Sequence, residues 1–133
     1  MTKKYYFDIE TTGLDPATSK IITIQFQELD FEGKPVGSLT ILKEWESSEA
    51  DILKQFYEKL NYSNNVWDFV PCGYNLKFEH DFLLKRGKLY NLYFNLLDRP
   101  IIDLHPIGIM MNDTNHKGSG CLLYTSPSPR DRS

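Results

Sequence analysis

The chain has 133 residues, of which 41% are hydrophobic and 25% charged, a balance typical of a soluble globular domain. A formal net charge of −3 argues against a broad basic surface that coats duplex DNA, although an enzyme that holds nucleic acid through bound cations need not be basic. No apolar run approaches the roughly 18 residues of a membrane span, and Met1–Lys4 opens no signal-peptide pattern, so we expect a cytoplasmic protein without a membrane partner.

The first part of the chain predicts three strands. Lys4–Ile9 reads as a short strand in which the apolar residues Tyr5, Tyr6 and Phe7 follow one another without interruption, as in a strand that is covered on both faces. Ile21–Leu29 alternates apolar and polar residues at strand period, and Ser38–Trp45 follows it after a turn that contains Gly and Pro. We expect the second and third strands to form an antiparallel hairpin.

Helices alternate with strands in the rest of the chain. The predicted elements are a helix over 47–60 with Ser48 and Asp51 as a capping box, a strand over Val66–Val70, a helix over Phe78–Arg86, a strand over Ile101–Asp103, and a helix that starts near Pro106. This order predicts an α/β fold in which a mixed sheet is flanked by helices, with three antiparallel strands first and parallel strands after them.

The stretch YYFDIETTGLDP places two acids at the end of the first strand. Residues i and i+2 of a strand point to the same face, so Asp8 and Glu10 project together while Ile9 faces the other way. Two like charges this close need a raised pKa or a divalent cation. Carboxylate oxygens suit Mg²⁺ or Mn²⁺, which makes the pair a candidate metal site.

A second acid-bearing stretch, GYNLKFEHDFLLKR, lies on the predicted second helix. At about 100° per residue, Glu79 falls inside the apolar arc formed by Phe78, Phe82 and Leu83, whereas Asp81 falls outside it. A buried Glu is rare unless it is paired or bound to a metal. Glu79 is therefore the favoured third acid, with Asp81 as the alternative if the helix is rotated.

Together the two stretches resemble a known family. FDIETTGLDP resembles the first motif, and NLKFEHDFLL the second motif, of the DEDD (DnaQ-like) 3′–5′ exonucleases, which have an RNase H-like fold. The resemblance implies catalytic and metal-binding roles for Asp8, Glu10 and Glu79, with two Mg²⁺ or Mn²⁺ ions in the complete site. Glu79 departs from the family, which usually has Asp at this position.

The resemblance also implies which residues hold the substrate. Thr11 and Leu14 match positions that hold the 3′-terminal nucleotide, by backbone contact and by packing under the base. Asn75 and Phe78 match positions that line the groove for the strand, although core packing is the expected role of Phe78. The implied substrate is the 3′ end of single-stranded DNA or RNA.

The C-terminal end departs from the family pattern. The family's third motif, His-x-x-x-x-Asp or Tyr-x-x-x-Asp, supplies the general base and a fourth acid. Neither His105 nor His116 has this spacing, because Met110 and Cys121 stand where the Asp is required. We interpret Asp103 as a cap of the last helix. A chain without this motif is expected to be nearly inactive.

The last residues, CLLYTSPSPRDRS, form a Ser/Pro/Arg tail without periodicity. Its first eleven residues match what one reading frame of a transposon-library sequencing adapter encodes. We therefore expect a truncated RNase H-like exonuclease domain over residues 1–120 and an artefactual or disordered tail over residues 121–133.

The predicted function is phosphodiester hydrolysis at single-stranded 3′ ends by a two-metal mechanism. Two alternatives stay open. One is a non-catalytic nucleic-acid-binding module of RNase H-like fold, favoured by the Glu at position 79. The other is an unrelated α/β domain with a chance Asp-x-Glu. The sequence leaves open whether the substrate is DNA or RNA and whether the role is proofreading, repair or RNA trimming. It also leaves open a polymerase or another replication or repair protein as a partner.

Overall fold

The computed structural model describes residues 2–104, which form a five-stranded sheet and two helices. The elements are β1 (Lys4–Thr11), β2 (Ile21–Leu29), β3 (Pro35–Lys43), α1 (Glu49–Leu60), β4 (Val70–Gly73), α2 (Leu76–Lys88) and β5 (Ile102–Asp103), with single 3₁₀ turns at Glu44–Glu46, Val66–Asp68 and Leu96–Asp98. The predicted order of strands and helices is confirmed as far as β5. The helix predicted near Pro106, together with residues 105–133, lies outside the described residues.

The sheet is mixed, as predicted, and β1 lies at its centre. The strand order is β3-β2-β1-β4-β5; β1 and β2 are antiparallel, β2 and β3 form the expected antiparallel hairpin, and β4 is parallel to both β1 and β5. The hydrophobic alternation of Ile21–Leu29 predicted the bounds of β2 correctly. The α/β fold class is therefore confirmed.

One face of the sheet packs against α1 and α2 through a core rich in aromatic rings. Phe7 of β1 stacks on Phe56 of α1 with ring centroids 5.1 Å apart, and Tyr5 stacks on Phe69 at 4.2 Å. Helix α1 starts where the Ser48 hydroxyl accepts a hydrogen bond from the Asp51 backbone N–H at 3.0 Å. Within residues 2–104, neither helix has the length and apolar character to cross a membrane.

The predicted bounds of the fourth strand, Val66–Val70, are wrong. Val66–Asp68 forms a 3₁₀ turn because the Asn65 side chain accepts a hydrogen bond from the Trp67 backbone N–H, and the strand begins only at Val70. The observed strand contains Pro71, which has no N–H to donate to a strand ladder and therefore normally argues against a strand at this position. The apolar pattern before Pro71 led to a prediction that starts too early.

The outermost strand on the hairpin side, β3, differs from the prediction at both ends. It runs from Pro35 to Lys43 rather than from Ser38 to Trp45, and most of its residues are exposed. Its ladder with β2 is irregular between Phe26 and Glu28, and opposite this break Gly37 adopts a positive φ of 74°. Trp45 therefore lies beyond the strand, in the following 3₁₀ turn.

Candidate functional site

The candidate site lies at the carboxyl end of β1, where that strand extends past its neighbour. The parallel pairing of β1 with β4 ends at Tyr6 and Cys72, so Asp8–Thr11 has β2 as its only paired neighbour among the described strands. Strand order reverses here, because β2 and β3 lie on one side of β1 while β4 and β5 lie on the other. Ligands of open α/β sheets bind in the crevice at such a reversal.

Asp8 and Glu10 project from one face of β1, as predicted. Ile9 points into the core between them, and the residues opposite the two acids on β2 are Gln25 and Thr23. Asp8 is only 8% exposed, whereas Glu10 is exposed. The ladder shifts register between Glu10 and the next residue, and such bulges re-aim side chains at the ends of strands.

A loop with internal hydrogen bonds follows the two acids. The Thr11 hydroxyl donates to the Gly13 carbonyl at 2.6 Å. Thr12 and Lys20 close the loop, because the Thr12 N–H donates to the Lys20 carbonyl at 2.9 Å and the Lys20 N–H donates to the Thr12 hydroxyl at 3.0 Å. The loop leaves Leu14 85% exposed, which makes it accessible to a base. The nucleotide-binding roles of Thr11 and Leu14 stay predictions.

Glu79 lies on the buried side of α2, as its place in the apolar arc predicts. It is 2% exposed, and Phe82 and Leu83 beside it are fully buried. Asp81, the alternative acid, is partly exposed and forms an ion pair with Lys77 at 3.1 Å. The two acids therefore differ in burial, with Glu79 buried and Asp81 partly exposed. The metal-binding role of Glu79 stays a prediction.

The start of α2 is held by a residue from another strand. Asn75 has left-handed backbone angles (φ 55°, ψ 56°), and its own side chain does not cap the helix. The Asp103 carboxylate of β5 instead accepts hydrogen bonds from the Asn75 N–H at 2.9 Å and the Leu76 N–H at 3.0 Å. Asp103 thus caps α2, and the last helix, which the sequence predicts it to cap, lies outside the described residues. Phe78 packs on Phe82 with centroids 5.0 Å apart, in agreement with its expected core role.

The predicted metal ligands match the cation in chemistry but do not form a preassembled group. Asp8, Glu10 and Glu79 offer only carboxylate oxygens, the donors that Mg²⁺ and Mn²⁺ prefer. Between residues 2 and 104, no three His, Cys, Asp or Glu side chains converge closely enough to hold a metal ion. Carboxylates repel one another without a cation between them, so convergence of these three would accompany ion binding. His105 and His116 lie outside the described residues.

Sequence reasoning missed a buried ionic network behind the loop. The Glu49 carboxylate, 5% exposed, accepts two hydrogen bonds from the Arg86 guanidinium at 2.7 and 2.9 Å, one from the Tyr90 hydroxyl at 2.7 Å and one from the Ile21 N–H at 2.9 Å. Arg86 also donates to the Pro16 carbonyl at 3.4 Å. The network therefore joins α1, α2, β2 and the loop that follows the acids.

The electrostatics of this network favour the charged state of both partners. Burial raises the pKa of the Glu49 carboxyl, but hydrogen bonds from Arg86, Ile21 and Tyr90 outweigh burial and hold that pKa below its ordinary value. The hydrogen bond to Glu49 raises the pKa of Arg86. No local pattern reveals this pair, because its members lie 37 residues apart. We assign it to anchoring the loop.

Comparison with known proteins gives a family and a fold. A family model described as the RNase H superfamily matches residues 5–123. No curated protein matches the sequence. Among solved structures, an apo exonuclease I is 12% identical with a TM-score of 0.66, and the match covers 84% of this chain and 31% of that chain.

Two further structures agree with this match. Exonuclease I from Methylocaldum szegediense is 18% identical, with a TM-score of 0.62. Escherichia coli exonuclease I in complex with a 5cy-dA13 oligonucleotide is 13% identical, with a TM-score of 0.66. Each match covers 84% of this chain and 30% of the other. The chain thus spans about a third of the length of these exonuclease I chains. At such identities the likeness establishes a shared fold.

Proposed function

This chain belongs to the RNase H superfamily, with the RNase H-like fold that its motifs implied, and we propose that it is part of a metal-dependent 3′–5′ exonuclease. The proposed substrate is the 3′ end of a single strand, and the proposed reaction is hydrolysis of the terminal phosphodiester bond. The similar E. coli exonuclease I structures include complexes with single-stranded DNA, which supports DNA as the first substrate to test.

One observation carries the proposal. Asp8 and Glu10 project from the same face of the central strand, past the point where its pairing with β4 ends. Ligands of open α/β sheets bind at such a strand reversal, and α2, which carries Glu79, begins directly after β4. Two acids without a binding role would not be expected to lie together at this position.

Each residue of the proposed site has a distinct task. Asp8, Glu10 and Glu79 would hold Mg²⁺ or Mn²⁺, and bound ions of this kind activate a water molecule and stabilise the leaving oxygen. Leu14 offers an exposed apolar surface to the terminal base, and Thr11 shapes the loop backbone that faces it. Partners of the complete protein also belong to this proposal: an exonuclease I complex with the SSB C-terminus has been solved, which makes a replication or repair partner reasonable.

The experiment measures both hydrolysis of an oligonucleotide and binding of Mn²⁺. A 5′-labelled single-stranded oligonucleotide is incubated with the protein and Mg²⁺ or Mn²⁺, and a ladder that shortens from the 3′ end is expected, with EDTA abolishing it. Mn²⁺ binding is measured in parallel by water proton relaxation, because it reports on the metal site independently of turnover. Asp8→Asn should reduce both turnover and Mn²⁺ affinity, turnover by roughly a hundredfold or more.

The matched control is Asp68→Asn, an acid in the turn before β4, at the opposite end of the sheet. This variant should keep the activity and Mn²⁺ affinity of the parent. Equal Mn²⁺ binding by the parent and the Asp8→Asn variant would refute the proposed metal site.

A second candidate function is a non-catalytic nucleic-acid-binding module. One observation favours it, namely Glu in place of the family's Asp at position 79. The same experiment separates the two functions. A binding module would retain the oligonucleotide in EDTA and show no metal-dependent ladder with any divalent ion.

A further inference from the structure

Trp45 is an exposed aromatic side chain close to the candidate site. It lies in the 3₁₀ turn Glu44–Glu46 that follows β3, and 65% of its surface is accessible. Tryptophan is highly buried on average in globular proteins, so an indole this exposed is unusual. The turn contains no buried residue, so burial in the core does not account for its presence.

The strand register places this indole near the two acids. Glu10 of β1 lies opposite Thr23 of β2, and Thr23 lies opposite Lys43 of β3. Directly opposed residues share a face of the sheet, so the side chains of Glu10 and Lys43 point to the same side about 10 Å apart, or two strand spacings. Trp45 follows Lys43 by two residues at this same end of the sheet.

The charges around Trp45 are balanced and easily rearranged. Glu44 forms an ion pair with Lys20 at 2.8 Å, and Glu46 forms a longer one with Lys43 at 3.7 Å. Both lysine side chains are partly exposed, and exposed ion pairs contribute little to stability, so exchange of a carboxylate for a phosphate costs little. The turn thus combines an exposed indole with two acids whose lysine partners are partly exposed. Single-strand contacts likewise combine aromatic rings, on which bases stack, with cations that follow the backbone.

We propose that Trp45 is a base-stacking contact for single-stranded nucleic acid, on the 5′ side of the nucleotide at the acids. The strand would pass from Leu14 over the exposed Glu10 and the partly exposed Lys43 to the indole, with the buried Thr23 beneath it. The inference rests on the proposed function for the nature of the ligand, and it requires binding but no hydrolysis. It also selects for unpaired bases, because a paired base offers no face to the indole.

The test uses the two tryptophans of the chain as separate reporters. Trp67 is 50% exposed, and its carbonyl accepts a hydrogen bond from the Lys3 N–H at the opposite end of β1, which makes it a matched control. Trp67→Phe leaves Trp45 as the only tryptophan, and Trp45→Phe leaves Trp67, so selective excitation of indole isolates one reporter in each variant. Each variant is titrated with oligo(dT) in EDTA, and binding is measured independently by the anisotropy of a labelled strand.

We expect oligo(dT) to quench the fluorescence of the Trp67→Phe variant and to leave that of Trp45→Phe unchanged. Trp45→Ala should weaken binding roughly five- to a hundredfold, the loss of one base stack, whereas Trp67→Ala should bind like the parent. Circular dichroism checks that each variant is folded. The same oligonucleotide in a duplex should bind more weakly and quench less.

Two other outcomes have separate meanings. Anisotropy that shows binding without quenching of Trp45, and with equal affinity in Trp45→Ala, would overturn the stacking contact and leave the proposed function intact. An absence of binding to any DNA or RNA strand by the parent would overturn the nucleic-acid function and this inference with it.

Discussion

Removal of the Glu49 carboxylate should destabilise the fold more than any exposed charge change. In Glu49→Ala, the guanidinium of Arg86 loses two charged hydrogen bonds and the Ile21 N–H loses its acceptor. Removal of one partner of a buried ion pair costs about 3–5 kcal/mol. The Arg86 side chain is 15% exposed and regains some hydration, so we expect about 3 kcal/mol. That is a large part of the 5–15 kcal/mol that is typical of the free energy of unfolding.

Urea unfolding followed by circular dichroism measures this loss. The matched control is Glu32→Ala, because Glu32 pairs with Lys34 at 3.7 Å with both side chains exposed, and its loss should change stability by about 0.5 kcal/mol or less. The double variant Glu49→Leu/Arg86→Met should be more stable than Glu49→Ala, since it leaves no unpaired buried charge. A loss below about 1 kcal/mol in Glu49→Ala would refute the assignment of the network as an anchor.

The same pair predicts a pH dependence with a definite sign. Because the folded pKa of Glu49 lies below its ordinary value, the folded state binds this proton more weakly than the unfolded chain does. The stabilisation is complete above the unfolded pKa of about 4.3 and is lost as the pH falls through the lower folded pKa. Glu49→Gln should therefore show a flatter acid-unfolding curve than the parent over that range.

Three further predictions concern the candidate site. Gly73→Ala should destabilise the fold by about 1–3 kcal/mol in urea unfolding, because the new Cβ would lie 2.7 Å from the Phe7 carbonyl oxygen; a stability equal to that of the parent would show that the strands can separate locally. Asp103→Ala should speed hydrogen exchange at the first amides of α2 and cost about 1 kcal/mol, the usual loss for a removed cap; unchanged exchange would contradict the capping role. Glu79→Gln should lower Mn²⁺ affinity at least tenfold, roughly 1.4 kcal/mol, while Asp81→Asn should not; the reverse result would assign the third ligand to Asp81.

Sequence reasoning predicted the local features well because each has a short-range cause. The alternation from Ile21 to Leu29 follows directly from the period of a strand, and the burial of Glu79 follows from the period of a helix. The shared face of Asp8 and Glu10 needs only the two-residue repeat of an extended chain. The mixed sheet then follows from the order of the elements.

The features that sequence reasoning missed depend on contacts between distant parts of the chain. The Glu49 network joins residues that are 28 to 70 positions apart, and Asp103 reaches the start of α2 across 27 to 28 positions. No window of neighbouring residues contains such a pair. The position of β4 was missed for a different reason, because tertiary packing tolerates Pro71 inside a strand where its propensity is unfavourable.

The irregular ladder of β3 has a consequence for how the molecule behaves in concentrated solution. An outer strand that carries exposed Val36, Leu39 and Ile41 is a template on which another copy could add a strand and begin aggregation. The register break opposite Gly37 shortens the straight stretch available for such pairing, and the proline at its start removes one donor. We therefore expect this interruption, which lies two strands away from the acids in the sheet, to limit strand addition by another copy.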